Sequence, residues 1–251
     1  MSDSPSTGAV AAPDAVSSGL VRTLIVLAGL VAAALVVNLA ATLATVSAVG
    51  SDVSQPVPFV VTTVGSELAF LAVGAAFIWR RSSFRLPIRA PTRSDLPYLL
   101  GGLIASVCAA GLSLALTDAV VPAVELSPGY AEYSPLDTLT GPALAAGVIV
   151  SLLVIGPVEE FLFRGVIQGR LAETFDLGAA VGIAGAVFAL FHVYPVALLS
   201  PPPVALAHMA AYYTLMGVIF GWVYHRTDTL AGPAVVHGLF NAAMFAIAIP
   251  S

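Results

Sequence analysis

Seven apolar runs dominate this sequence. Each is close to or above the ~20 residues that an α-helix needs to cross ~30 Å of hydrocarbon. They occupy residues 22–48, 57–80, 97–117, 141–158, 178–199, 204–224 and 230–249. In lipid no water is present to satisfy backbone N–H and C=O groups, so a spanning segment has to satisfy its own and becomes a helix. The expected fold is therefore all-α: a polytopic membrane helix bundle of about seven to eight transmembrane helices. Composition agrees. The chain of 251 residues is 59% apolar and 9% charged, with mean hydropathy +0.98, whereas soluble domains carry about 25% charged residues.

The ends and loops set the organisation. Residues 1–20, "MSDSPSTGAVAAPDAVSSGL", are small and polar and read as a disordered tail. They lack a basic n-region, and the run after Arg22 outlasts a signal-peptide core, so the first helix is expected to be retained. Residues 21–251 then form one integral-membrane domain. The fourth run is short if it stops at Val158. A longer helix would pass through "EEFLFRGVIQGRLAETF", with Gly156 and Pro157 as a kink. The sole cysteine, Cys108, lies in an apolar run and reads as a buried, inert thiol. All nine basic residues are arginine, five of them at 80, 81, 85, 89 and 93 between the second and third runs. The positive-inside rule places that loop and the N-terminus in the cytoplasm, with the acidic 118–140 loop outside. The Arg-only, Ala/Val/Gly-rich composition points to a prokaryotic plasma membrane. The few arginines flank membrane runs, which argues against nucleic-acid binding.

Ionisable groups in hydrocarbon are costly and mark function by default. They concentrate in the last four runs. In "GPVEEFLFRG", Glu160 and Arg164 are four residues apart and share one helical face, whereas Glu159 points about 100° away. One carboxylate is paired and the other is left over. "VFALFHVYP" places His192 fourteen residues into the fifth run, one turn after Phe188. "AVVHGLFNAA" places His237 and Asn241 on one face of the seventh. His208 and His225 read as structural and solvated, respectively. Glu67 lies inside the second run without an evident partner, either lining the same cavity or bonding across helices.

"EEFLFR", "FALFH" and "HGLFN" fit Glu-Glu-x-x-x-Arg, Phe-x-x-x-His and His-x-x-x-Asn. In this order, on successive membrane segments within 141–251, they resemble the CPBP family, which comprises the type II CAAX prenyl endopeptidases and bacteriocin-processing proteins. The resemblance implies an intramembrane endopeptidase. By that resemblance Glu159 is the essential glutamate, supported by Glu160 and Arg164. His192 works with it, and His237 and Asn241 stand at the scissile carbonyl.

The chemistry is coherent. Peptide hydrolysis needs an activated water, a base and donors for the oxyanion. Glu159 with His192 can deprotonate a water, and His237 and Asn241 can donate to the oxyanion. A zinc version of the site would use Glu159, His192 and His237 as a His₂Glu set, but there is no H-E-x-x-H, and the metal-independent version is preferred. Two other classes compete: a proton-coupled transporter, and a non-catalytic scaffold or immunity factor. Partners expected on the peptidase reading are the bilayer and a membrane-bound protein or peptide. In a prokaryote, a leader peptide or another membrane protein is a better substrate than a prenylated tail. Depth poses a difficulty. If the fourth helix ends near Val158, Glu159 sits at a membrane surface, whereas His192 lies ~20 Å from its helix start and His237 ~10 Å from its own. A conical polar cavity open to the cytoplasm, with non-helical backbone at Gly156–Pro157, is the expected solution.

Overall fold

The structure, a computed structural model, describes residues 13–49, 56–81, 84–120, 139 and 141–249. Every regular element among these residues is helical. We number them α1 (Pro13–Val49), α2 (Val57–Trp79), α3 (Leu96–Val120), α4 (Gly141–Ala172), α5 (Leu177–Ala197), α6 (Pro203–Thr227) and α7 (Ala231–Ile247). Six are long and apolar enough to cross a membrane, and α7, at 17 residues, is shorter. The polytopic helical bundle read from the sequence is the fold observed. The outer faces carry exposed Leu24, Ile104, Leu153 and similar side chains, as lipid-facing surfaces do.

Three expectations need correction. The helix α1 begins at Pro13, inside the stretch read as a polar tail; residues 1–12 and most of the 118–140 loop lie outside the described residues. Cys108 is exposed on the outer face of α3, not buried, because apolar runs in a membrane have a lipid face as well as a protein face. Finally, the backbone at Gly156 and Pro157 stays helical, with Gly156 at φ −53°, ψ −55°. Pro157 has no N–H to donate, and the helix absorbs this by widening to π-turns over Ser151–Ile155, where the Gly156 N–H reaches back to the Ser151 carbonyl. A second π-stretch spans Phe161–Gln168. The fourth helix therefore runs 32 residues to Ala172 and does not end near Val158.

The α5 N-terminus is capped by the Asp176 carboxylate, which accepts from the Ala179 N–H at 2.9 Å. The turn from α6 into α7 is closed by Asp228 in a left-handed conformation, φ 46°, which Asp tolerates better than most residues. Helices α5 and α6 pack most extensively on each other, and α1 packs on α2. Asn38 of α1 links that second pair to α5: it accepts the Tyr194 O–H at 2.6 Å and donates to the Ser66 carbonyl of α2 at 3.2 Å. The core is centred on α4, where Leu162, Phe163, Val166 and Ile167 are fully enclosed. Phe188 of α5, Phe220 of α6 and Val236 of α7 close over them.

Candidate active site

The two glutamates sit in the middle of α4, between its π-stretches. Two glycine contacts decide what they meet. A Cβ on Gly156 would lie 2.8 Å from the Ala234 carbonyl and 2.9 Å from the Gly238 nitrogen. A Cβ on Gly217 would lie 2.6 Å from the Gly185 Cα. Only bare backbone permits these approaches, and small residues serve the same purpose at membrane helix crossings generally. The first brings α7, with His237, against the glutamates. The second brings the Gly217 carbonyl of α6 over the Arg164 guanidinium.

Arg164 and Glu160 are both fully enclosed. Arg164 Nη1 donates to Glu160 Oε1 at 2.9 Å, and Nη2 donates to the Gly217 carbonyl at 2.9 Å. The guanidinium lies 4.7 Å from the Phe188 ring centre and 5.3 Å from that of Phe220, a cation–π cage that offsets part of its desolvation. Glu160 Oε1 also lies 2.8 Å from His237 Nδ1. Since the oxygen is an acceptor, Nδ1 must carry the proton and donate.

Glu159 points elsewhere, as its helical position requires. Its Oε2 lies 3.9 Å from His237 Nε2 and 4.0 Å from His192 Nε2. That oxygen is buried without a hydrogen-bond partner, which is unusual for a polar atom in a folded protein. His192 Nδ1 faces the Phe188 carbonyl at 2.9 Å and therefore donates to it. Both imidazoles, with Nδ1 protonated, aim a lone pair on Nε2 toward Glu159. Phe188 thus positions His192 through its backbone, 4.3 Å ring to ring, while its ring also touches His237 at 5.8 Å. His237 is further stacked on Phe220 at 4.5 Å. Asn241 sits one turn along α7 from His237, half-buried, with no described hydrogen bond to its amide.

All seven residues singled out in the sequence thus fall around one point or on the turn next to it. The depth difficulty disappears with the longer α4. Counting from the shared end at 172–177, Glu159 and His192 are each about 20 Å along their antiparallel helices. The His237 helix starts inside the bundle: Thr229 and Leu230, just before it, are buried, and the Leu230 N–H donates to the Pro87 carbonyl at 2.9 Å.

Two residues enlarge this picture. Glu67 of α2 is buried, its Oε2 has no hydrogen-bond partner, and its charge interacts with that of Glu159. Tyr213 of α6 stacks on the His192 ring at 4.3 Å and 27°. Nothing in "AAYYTL" marks it beforehand, because the contact depends on how α6 lies against α5. The control histidines behave as read. His208 bridges to Ser113 at 3.1 Å and Thr117 at 3.3 Å of α3, and His225 is exposed.

The surroundings are tighter than the conical polar cavity expected. The side chains of His237 and Glu159 are 4% and 9% exposed, and His192, at 24%, is the most open approach. A cavity of about 540 Å³ does open beside the site, but it is apolar, lined among others by Leu152, Pro157, Phe161, Ala234 and Leu239. Two ligands of one tetrahedral zinc at ~2.05 Å would be ~3.3 Å apart, closer than the 3.9 and 4.0 Å found here. No three His, Cys, Asp or Glu among the described residues are grouped to hold a metal ion.

Residues 141–243, from the start of α4 through most of α7, match the model of a family described as Type II CAAX prenyl endopeptidase Rce1-like. The matched segment contains all three motifs, in agreement with the CPBP resemblance. No curated protein and no solved structure matches the chain.

Proposed function

We propose that this integral membrane protein is an intramembrane endopeptidase, hydrolysing a peptide bond of a membrane-associated protein or peptide with a water activated by Glu159 and His192. The observation that carries the reading is the convergence of three acceptors: His192 Nε2 and His237 Nε2 both lie within 4.0 Å of Glu159 Oε2. Three lone pairs facing one another repel unless something with protons lies among them. A water donates to two of them and directs its own lone pair at a carbonyl carbon.

In the reaction, the water oxygen forms the new bond to that carbon as its proton passes to Glu159, and the carbonyl electron pair moves onto oxygen. The Asn241 amide donates to that oxygen. His237 joins only after taking a proton on Nε2, because its Nδ1 hydrogen is held by Glu160; the Glu160 carboxylate then stabilises the imidazolium. Collapse breaks the C–N bond, and Glu159 or a protonated histidine returns the proton to the amine. Arg164 is kept from neutralising Glu159 by Glu160 and the Gly217 carbonyl.

The positive-inside rule puts the 80–95 loop, and the 172–177 end of the site, in the cytoplasm. We place a leader peptide or membrane protein ahead of a prenylated tail as substrate. The test is purified protein in liposomes with a library of membrane-anchored peptides, farnesylated members included, in ¹⁸O-water. One ¹⁸O in each new C-terminal carboxyl is expected. Proton flux without cleavage would overturn the peptidase in favour of a carrier. Activity lost to a chelator and restored by zinc would overturn the metal-independent mechanism in favour of Glu159, His192 and His237 as ligands.

A further inference from the structure

The site is rich in acceptors and poor in donors. Glu159 Oε2 and both Nε2 atoms face one another, while each Nδ1 hydrogen is spent on Phe188 or Glu160. Peptide hydrolysis builds negative charge on the former carbonyl oxygen, and donors set in advance supply much of the rate. At the moment of attack, before either histidine has gained a proton, the Asn241 amide is the one donor assigned so far.

We propose that Tyr213 is a further catalytic residue, its phenol O–H donating a hydrogen bond to the oxygen that develops charge. The ring is held against the His192 imidazole at 4.3 Å and 27°, with Tyr212 edge-on to it at 5.0 Å, which fixes the plane of the phenol beside the most open of the site's three principal side chains. The Glu159 carboxylate lies within electrostatic reach of this phenol. The ring is half-buried, and the hydroxyl has no hydrogen-bond partner among the described residues, which leaves it available to a substrate. A phenol suits the role, since it is neutral and donates without first taking a proton. It gains strength as its acceptor becomes an anion, so it stabilises the tetrahedral state more than the ground-state carbonyl.

The inference rests on the peptidase reading, and the experiment separates the two. Tyr213→Phe keeps the stack on His192 and removes only the O–H. With a peptide that the wild-type protein cuts, kcat should fall about 100-fold with KM within about twofold, while Tyr212→Phe cleaves as wild type and thermal unfolding of Tyr213→Phe is unchanged. A Tyr213→Phe variant with wild-type kcat overturns the role of Tyr213 and leaves the peptidase standing. An equal loss in Tyr213→Phe and Tyr212→Phe also overturns it, by pointing to packing. A wild-type protein that cuts no peptide overturns both.

Discussion

Glu159 and Glu160 are adjacent in the chain and have opposite surroundings. Glu160 is enclosed, with Arg164 and His237 both on its Oε1, whereas Glu159 Oε2 has only the two Nε2 atoms nearby. Removing one member of a buried pair strands the other, so Glu160→Gln should cost about 3–5 kcal/mol, read as a lowered midpoint of thermal unfolding in micelles. The double replacement Glu160→Leu/Arg164→Met should recover part of that loss. An unchanged midpoint in the single variant would mean the pair contributes nothing to the fold. The Glu160–Arg164 pairing was legible because four-residue spacing is a local property of a helix. The Glu160–His237 bond, joining residues 77 apart, was not, nor was the Tyr213 stack. Both depend on helix placement, which no single motif carries. His237 had been read as a ready donor to the oxyanion, and that bond with Glu160 limits it to its protonated form.

At the scale of elements, Gly156–Pro157 looked like a breaker and is a contact. The π-turns keep α4 continuous, and the glycine lets α7 dock. Gly156→Val puts carbon into the Ala234 carbonyl and the Gly238 nitrogen. It should cost about 1–3 kcal/mol by overpacking and abolish cleavage by moving His237 off Glu160; a fully active variant would contradict this. Propensity cannot distinguish a kink from a close approach, because both select Gly and Pro. The N-terminal end of α7 is held by the 84–95 loop. Arg89 donates to Asp95 at 2.6 and 3.2 Å and to the Thr227 carbonyl, while the Thr229 hydroxyl donates to the Arg89 carbonyl at 2.7 Å. The Arg89 hydrogen bond, with the Thr92 N–H, holds the Asp95 carboxyl well below its ordinary range. A carboxylate lowered on folding stabilises fully above its unfolded value of about 3.9 and loses that contribution as pH falls through its folded value. Limited proteolysis of the loop should therefore be flat from neutrality down through pH 5 and rise only at much lower pH. Asp95→Asn should be cut faster at pH 7, and a wild-type rise already near pH 6 would contradict the assignment.

For the whole molecule, the sequence announced the class from its apolar runs and five of the seven helices nearly to their ends; α1 starts nine residues earlier than its run. The sequence left the length of α4 open between a stop near Val158 and a longer helix, and with it the depth of the site, because charged residues ordinarily mark where a membrane helix leaves the lipid. Here Glu159, Glu160 and Arg164 are buried in protein, so the helix carries them on to Ala172 and all the site residues meet at one level. The second expectation to change was the wide polar cavity. A bundle that ties up each Nδ1 hydrogen and cages Arg164 in aromatic rings needs little water at its centre, and the space beside it is apolar. The central claim is that Glu159 is the base of this site. It is tested most directly by cleavage of a membrane-anchored peptide by wild-type, Glu159→Gln and His225→Ala protein in the same liposomes. The account predicts cutting by wild type and His225→Ala, and a loss of at least about 100-fold in Glu159→Gln with its unfolding midpoint retained. Wild-type rates in Glu159→Gln would contradict it.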